Sequence, residues 1–221
     1  MRRHIDLSHT IHDGLVTFKG LPGPVICDFL SREASRQNYT DGAEFQIGRI
    51  DMVSNTGTYI DCPFHRYADG RDLSETDIER FVDLPAVVVR VPFRERIEIT
   101  PRDFIRVDVR DKAVLVHTGW SEHWSTPAYF NNHPFLSADA AVFLRNAGAM
   151  LVGIDSHNID DTRTKNGRPV HTTLLGAEIL IVEHMRGLEL LPLEGFLFSA
   201  VPPKMKGMGT FPVRAFATLG G

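Results

Sequence analysis

Runs of apolar and β-branched residues recur along the chain and predict a substantial β-sheet. Three of these runs, residues 86–91, 113–117 and 150–154, are almost entirely apolar, which is typical of strands covered on both faces. Residues 46–53 instead alternate between apolar and polar side chains, so we predict a strand with one face in water. A run at 196–201 and a short one at 5–7 predict two further strands.

The segments between these runs contain signals of helix ends. Residues 137–148 begin with a serine, a favourable N-cap, continue with good helix formers and end at a glycine. A threonine followed by proline at 100–101 predicts a second helix start, and residues 172–177 a short helical turn before a strand at 179–182. Helices that follow apolar strands in this order predict a mixed α/β (α+β) fold with a mixed sheet and flanking helices.

Length and composition indicate one globular domain over residues 1–221. Hydrophobic residues make up 43% and charged residues 24% of the chain, and we find no repeat, low-complexity tract or flexible linker. A chain of this length buries roughly 70% of the surface of its unfolded form, so it needs no disulfide or structural metal to fold. A metal bound here would therefore serve chemistry.

Charge and hydropathy exclude several classes of partner. The net charge is −4, and the basic residues form no stripe that would follow a phosphate backbone, so we expect no nucleic acid partner. No run approaches the ~18 apolar residues of a membrane span, and the first residues lack a signal peptide. Cys27 and Cys62 suggest no disulfide framework. We expect a cytoplasmic protein that acts on a small molecule.

The first candidate for chemistry is the polar stretch 54–65, which we expect to be a loop leaving strand 46–53. It passes through Gly57 and presents Asp61 and His65 four residues apart. A carboxylate oxygen and an imidazole nitrogen suit a borderline divalent ion such as Zn²⁺ or Mn²⁺. The spacing alone equally allows an aspartate that caps a loop and an exposed histidine.

The second candidate pairs His171 with Glu183, which ends the apolar run 179–182. A carboxylate at the end of a buried strand must be paired, bind a metal or reach water. In the last case His184 would sit beside Glu183 in solvent and neutralise it. Both interpretations stay open at this point.

Asp155 ends the apolar run 150–154 in a similar position. We predict that it holds a loop by accepting backbone N–H bonds, and a role at the edge of the site is the alternative. His117, in another apolar run, is predicted to be a hydrogen-bonded core histidine.

Residues 55–65 resemble the signature His-x-Gly-Thr-His-x-Asp-x-Pro-x-His of the cyclase family, which includes bacterial kynurenine formamidase. Gly57, Thr58, Asp61 and His65 match it, together with the proline between the last two. The family's other landmarks follow in the same order and are matched by residues 5–9, 115–120, 153–155, 174–176 and 212–215. This resemblance implies a swivelling β/α/β-type domain and a hydrolase acting on a small amide, cyclic amide or lactone.

The resemblance also implies a metal site. In the family, the first two histidines and the aspartate of the signature hold one ion, and the aspartate with a downstream histidine and glutamate holds a second. Asp61, His171 and Glu183 match the second set by position. Asn55 and Tyr59 stand where the family has the two histidines. Because an amide oxygen and a neutral phenol are weak ligands, we expect one divalent ion, Zn or Mn, with His65 near or on it.

His65 matches the family's general acid/base, and we expect it to exchange a proton with metal-activated water. Tyr59 is a candidate donor to the oxyanion formed at the attacked carbonyl. Phe18, Phe64 and Asn55 are the expected substrate-binding residues. Aromatic side chains are as often part of the core, which is the alternative for the two phenylalanines.

The family resemblance implies a homodimer or homotetramer. The segment 15–26 is apolar and rich in turn residues, and such a loop on a soluble protein usually needs a partner surface. The changes at Asn55 and Tyr59 leave two other functions open: a binding or regulatory protein that retains the fold without hydrolysis, and an enzyme for a different reaction such as dehydration. Metal content measured together with turnover of amides and lactones distinguishes the binder from the enzyme.

Overall fold

The computed structural model describes residues 1–164 and 167–220. Its strands are β1 (Arg3–Asp6), β2 (Val25–Leu30), β3 (Ile47–Asp51), β4 (Tyr59–Asp61), β5 (Leu84–Arg90), β6 (Glu98–Ile99), β7 (Ala113–His117), β8 (Phe135–Leu136), β9 (Leu151–Ile154), β10 (Leu180–Glu183), β11 (Phe196–Ser199), β12 (Thr210–Pro212) and β13 (Phe216–Leu219). The α-helices are α1 (Arg32–Ser35), α2 (Ala138–Ala147) and α3 (Pro169–Leu175). Short 3₁₀ helices cover Arg36–Asn38, Pro63–His65, Ile78–Arg80, Pro101–Asp103, Trp120–His123, Pro127–Phe130 and Leu188–Leu190.

A nine-stranded mixed sheet organises the fold, in the order β1-β13-β11-β5-β7-β9-β10-β4-β12. The four central strands β5, β7, β9 and β10 run parallel, and the strands on both sides pair antiparallel. The predicted mixed α/β fold with a mixed sheet is confirmed. No helix of the residues described is long and apolar enough to cross a membrane.

The central strands are buried on both faces, as their apolar sequences predict. Val87, Val114 and Val152 face the layer that contains α2 and α3. The alternate side chains of the same strands, such as Val88 and Leu115, belong to a second cluster, with side chains from β1, β11 and β13. The central strands are therefore covered by α2 and α3 on one face and by side chains of the antiparallel strands on the other.

The helix predictions were partly correct. Helix α2 lies within the predicted residues 137–148: the Ser137 side chain accepts a hydrogen bond from the backbone of Ala140, and Gly148 ends the helix at a φ of 83°. The predicted start at 100–101 produces only a single 3₁₀ turn, Pro101–Asp103. The predicted turn at 172–177 belongs to α3, which begins earlier, at Pro169.

Two predictions about the N-terminal half were wrong. Strand β3, within the predicted run 46–53, has all five residues exposed, because it pairs only with β2 in a separate hairpin. The stretch 54–65 is not simply a loop, since Tyr59–Asp61 form β4 between β10 and β12. Residues 212–215, which resemble the family's closing strand, form only the end of β12 and the connection to β13.

Candidate metal centre

Strand register brings the candidate site together. Strand β4 pairs with β10 so that Tyr59 lies opposite Glu183, and with β12 so that Asp61 lies opposite Thr210. Residues two apart on one strand, and residues directly opposite on its neighbour, share a face of the sheet. All four side chains therefore point to the side covered by α3, which contributes His171.

His171 lies between the two predicted carboxylate ligands. Its Nε2 is 3.7 Å from Asp61 Oδ2 and 3.7 Å from Glu183 Oε1. On the other side of the ring, Nδ1 is 2.6 Å from Asp160 Oδ2, and Asp160 also accepts the backbone N–H groups of Val170 and His171. A carboxylate behind a histidine fixes the Nδ1–H tautomer. The Nε2 lone pair then faces Asp61 and Glu183.

His65 completes the cluster from the wall of the cavity. Asp61, His65 and His171 have potential ligand atoms that all lie within 4.8 Å of one another. The Thr210 hydroxyl contacts Asp61 Oδ1 and lies 2.7 Å from His65 Nδ1. Since the carboxylate can only accept, the hydroxyl donates to Asp61 and accepts from the Nδ1–H of His65. His65 Nε2 is left with a free lone pair.

A close backbone approach holds His65 in this position. Gly209, just before β12, lies directly against the His65 backbone, and a Cβ there would overlap the His65 nitrogen. The Cys62 N–H donates to the Gly209 carbonyl at 2.8 Å. Only glycine lets the two segments lie this close, so the residue next to Thr210 also positions the histidine.

The centre carries more negative charge than its own residues balance. Asp61, Asp160 and Glu183 are all buried, and they surround one imidazole. Asp61 Oδ2 is a buried oxygen with no hydrogen-bond partner among the residues described. Buried polar atoms are almost always paired, so an unpaired carboxylate oxygen that faces an imidazole lone pair fits a bound cation.

The pKa values of the centre reflect the same excess of negative charge. Burial alone would lower the pKa of His171, but the hydrogen bond to Asp160 and the nearby charges of Glu183 and Asp61 raise it to about 10. Burial raises the pKa of Glu183 to about 7, against the opposing effect of His171. Without a metal the cluster therefore holds protons tightly. A divalent ion would supply the positive charge in their place.

Tyr59 hydrogen-bonds to Glu183 from the position of a family histidine. Burial and the charges of Glu183 and Asp61 hold its pKa well above the usual range, so it is a neutral phenol. It donates to Glu183 Oε2 at 2.7 Å. Its oxygen lies 3.3 Å from His184 Nε2, and His184 Nδ1 lies 2.9 Å from the Tyr129 hydroxyl. With Tyr59 donating to Glu183, the Tyr129 hydroxyl donates to His184 Nδ1 and His184 Nε2–H donates to the Tyr59 oxygen, so that Glu183 is the final acceptor of the chain.

A cavity of about 430 Å³ opens onto the cluster. Its walls include five of the residues predicted for the site besides Glu183: Phe18, Asn55, Tyr59, His65 and His171. Phe18 stacks on His157 with ring centroids 4.6 Å apart. Phe64 is elsewhere: it packs against the hydrophobic core and is not among the residues that line this cavity.

Several residues of the centre were not found from sequence. Asp160 and Thr210 contact the predicted ligands directly, and Lys19, Arg66 and Arg168 line the cavity. Asp155, by contrast, does what was predicted: it accepts the Thr118 N–H at 2.8 Å, the Thr118 hydroxyl at 2.6 Å and the Gly119 N–H at 2.8 Å.

Comparison with known proteins decides the family. The Cyclase family model matches residues 5–161. This segment includes Asp61, His65 and most of the residues that line the cavity. The chain belongs to the cyclase family. Residues 167–220, which supply His171, Glu183 and Thr210, follow the matched segment, so their place in the centre rests on the geometry.

Curated relatives of this cyclase-family chain match most of its length. The kynurenine formamidase of Bacillus anthracis is 27% identical over 212 residues, 96% of this chain and 95% of the relative. That of Bacillus cytotoxicus is 29% identical over 181 residues, 82% of this chain and 81% of the relative.

Solved structures share the fold. A predicted metal-dependent hydrolase from Bacillus stearothermophilus superposes with a TM-score of 0.79 at 26% identity, covering 99% of this chain and 98% of the other. Isatin hydrolase A from Labrenzia aggregata superposes with a TM-score of 0.83 at 23% identity, covering 99% of this chain and 94% of the other. At that identity the second likeness shows the fold alone.

Proposed function

We propose that this protein is a metal-dependent hydrolase of a small amide, cyclic amide or lactone. One observation carries the proposal: the Nε2 of His171 lies 3.7 Å from an oxygen of Asp61 and 3.7 Å from an oxygen of Glu183 beside a cavity, and a buried oxygen of Asp61 has no partner within the described residues. Full-length similarity to kynurenine formamidases supports hydrolysis of a carbon–nitrogen bond.

We propose one divalent ion per chain, Zn²⁺ or Mn²⁺. Asp61, His171 and Glu183 would hold it, with His65 adjacent. A carboxylate–imidazole set suits either ion. Asn55 and Tyr59 do not supply the imidazoles of a second position, and the Tyr59 proton is already donated to Glu183. When bound, the ion would lower the pKa of a water molecule to roughly 7.

His65 is the proposed general acid/base. Thr210 holds its Nδ1, so that its Nε2 is free to accept a proton from the attacking water and return it to the leaving group. His65 is also the most exposed residue of the cluster, with 33% of its side chain accessible to solvent. An imidazole open to the cavity can reach a bound substrate.

Tyr59 remains a proposed catalytic residue. A phenol has one proton, and Tyr59 gives it to Glu183. Donation to a substrate oxyanion therefore requires Glu183 to release this bond when its oxygens bind the ion. Tyr59→Phe is expected to lower kcat about 10-fold or more, with metal content retained. An unchanged kcat would remove Tyr59 from the mechanism.

Phe18 and Asn55 are the proposed substrate contacts, because both line the cavity. Phe18 offers an apolar surface already ordered by its stacking on His157. Phe64 does not reach the cavity, so it is not a substrate contact. Phe18→Ala should raise KM, and Phe64→Ala, as the matched control, should lower stability instead.

We further propose a homodimer or homotetramer in the cytoplasm. The β2–β3 hairpin projects apolar side chains that are exposed in the single chain, including Val25 at 55%, Phe29 at 72% and Ile50 at 60%. An apolar patch of this kind on a soluble protein marks an interface. Phe29→Asp with Ile50→Asp should yield a monomer in sedimentation, and a monomeric native protein at micromolar concentration would contradict the proposal.

The two cysteines support the proposed cytoplasmic location. Both Cys27 and Cys62 are free thiols, as is usual for proteins of a reducing compartment.

The test of function is turnover after metal removal and restoration. The purified protein is treated with a chelator, then loaded with Zn²⁺ or Mn²⁺ and assayed on N-formyl anilines, cyclic imides and aromatic lactones. We expect activity only in the loaded protein. Stoichiometric metal without turnover of any of these, but with tight binding of one, would favour a binding protein.

A further inference from the structure

Three cationic side chains line the cavity of the centre: Lys19, Arg66 and Arg168. None of them has a carboxylate within ion-pair distance among residues 1–164 and 167–220. Elsewhere among the described residues, seven cations have a carboxylate within ion-pair distance, namely Arg36, Arg71, Arg94, Arg96, Lys112, Arg163 and Arg214, and others on the surface do not. The cavity therefore brings together three cations that no carboxylate of the described residues neutralises.

Two of the three are held in place by contacts that do not neutralise them. Arg66 Nε donates to the Thr172 hydroxyl at 3.1 Å, which leaves its two terminal nitrogens free. One terminal nitrogen of Arg168 donates to the carbonyl of Gly167 at 3.1 Å and to the carbonyls of Asp161 and Thr164 at 3.4 Å. A guanidinium anchored on one edge presents its other N–H groups as a fixed fork, the geometry that binds carboxylates in a bidentate manner.

The charge balance of the cavity favours an anion away from the metal position. The three buried carboxylates of the centre together with one divalent ion leave about one negative charge, when His171 is neutral. The three unpaired cations at the wall exceed that charge. Attraction by such a group steers an anionic ligand into a cleft and is weakened by salt.

We infer that the substrate carries a carboxylate or similar anionic group, which Arg66 and Arg168, aided by Lys19, bind at the cavity wall while its amide or ester carbonyl reaches the metal centre. The inference rests on the proposed function for the reaction and on the three cations for the substrate class. It makes these residues determinants of specificity rather than catalytic residues.

The first test compares matched substrates. The three isomers of formamidobenzoate and the corresponding neutral formamidobenzamides are assayed with metal-loaded protein. We expect at least one carboxylate isomer to exceed its carboxamide at least 10-fold in kcat/KM, mainly through KM. That ratio should fall severalfold between 50 mM and 500 mM NaCl. Equal kcat/KM for every pair would overturn the inference.

Variants identify the residues responsible. In Arg66→Gln with Arg168→Gln the ratio of carboxylate to carboxamide is expected to fall to within about 2-fold of one, and Lys19→Gln should lower it less. Arg94→Gln, which removes a cation paired with Glu122, is the matched control and should leave the ratio unchanged. A ratio that survives the double substitution would overturn the assignment.

A binding measurement separates this inference from the proposed reaction. Aminobenzoate and aminobenzamide isomers, the products of the same substrates, are titrated calorimetrically into the metal-loaded protein and into the Arg66→Gln, Arg168→Gln variant. We expect the carboxylate to bind more tightly to the native protein and to lose that advantage in the variant. If no substrate turns over, the proposed hydrolysis fails, and this titration still decides whether the cations select an anion.

Discussion

Buried carboxylates lie at the ends of two neighbouring parallel strands, β9 and β10, and they differ in how completely they are hydrogen-bonded. Asp155 follows β9 and accepts three hydrogen bonds from Thr118 and Gly119. Glu183 ends β10, beside Asp61, whose Oδ2 has no partner within the described chain. Burial is nearly complete in both places. Pairing, and not burial, therefore distinguishes the candidate metal ligand Asp61 from Asp155.

Removal of the incompletely paired carboxylate should have the largest effect on activity. Asp61→Ala is expected to lose its metal and at least about 10³-fold in kcat/KM, since the ion supplies several kcal/mol of transition-state stabilisation. Metal content by plasma mass spectrometry and turnover on the best substrate provide the measurement. Asp69→Ala, on the surface, is the control. Native activity in Asp61→Ala would show that Asp61 is not a metal ligand and that it does not differ in function from Asp155.

Removal of the fully paired carboxylate should instead affect stability. Asp155→Ala leaves the Thr118 and Gly119 donors buried without an acceptor, and we expect a loss of about 2 kcal/mol in the free energy of unfolding at pH 7. Denaturant unfolding measures this loss, and metal stoichiometry should remain that of the native protein. If the variant loses its metal while its stability is unchanged, Asp155 belongs to the centre.

The destabilisation caused by Asp155→Ala should also depend on pH. Burial raises the pKa of Asp155 to about 6 despite its three donors. A carboxyl whose pKa is higher in the folded than in the unfolded state stabilises the fold in its protonated form. Its contribution therefore decreases as pH rises from about 4 to about 6. The destabilisation by Asp155→Ala should be about 2 kcal/mol greater at pH 4.5 than at pH 7. A loss independent of pH would show an ordinary pKa.

A smaller effect is expected from the residue that links Asp61 to His65. Thr210→Val keeps the shape of the side chain but removes the hydroxyl that contacts both. We expect kcat to fall about 10-fold with metal retained, the size usual for groups that orient ligands. Thr210→Ser should restore most of the activity, and an unchanged kcat in Thr210→Val would show that His65 needs no such support.

Sequence analysis predicted the parts of the fold that local signals determine. The central strands were predicted because runs such as 113–117 are apolar throughout, and α2 because both of its ends carry capping residues. Strands β4 and β12 were missed, because each has three residues and exists only through pairing with a partner that lies far away in the sequence. Strand β3 was predicted from the alternation at 46–53, but its apolar side chains are exposed because it pairs only with β2, which was not predicted.

The site was predictable only to the extent that family resemblance reached. The local sequence offered Asp61 with His65 and His171 with Glu183 as two separate candidates, and only the resemblance joined them. The structure places His171 Nε2 3.7 Å from both carboxylates and groups His65 with Asp61 and His171. Asp160, Thr210 and the three cavity cations were missed because nothing in their spacing connects them to the ligands. Asp160, for example, reaches His171 by folding back from the end of the loop after β9 to the start of α3.

The most direct test of the account is to locate the ion. Crystals of the protein soaked in Zn²⁺ or Mn²⁺ are measured at the absorption edge of each metal. The account predicts one anomalous peak per chain, within coordination distance of Asp61, His171 Nε2 and Glu183, and no peak at Asp155. A centre without a peak at saturating metal, or an ion bound at Asp155 instead, would contradict it.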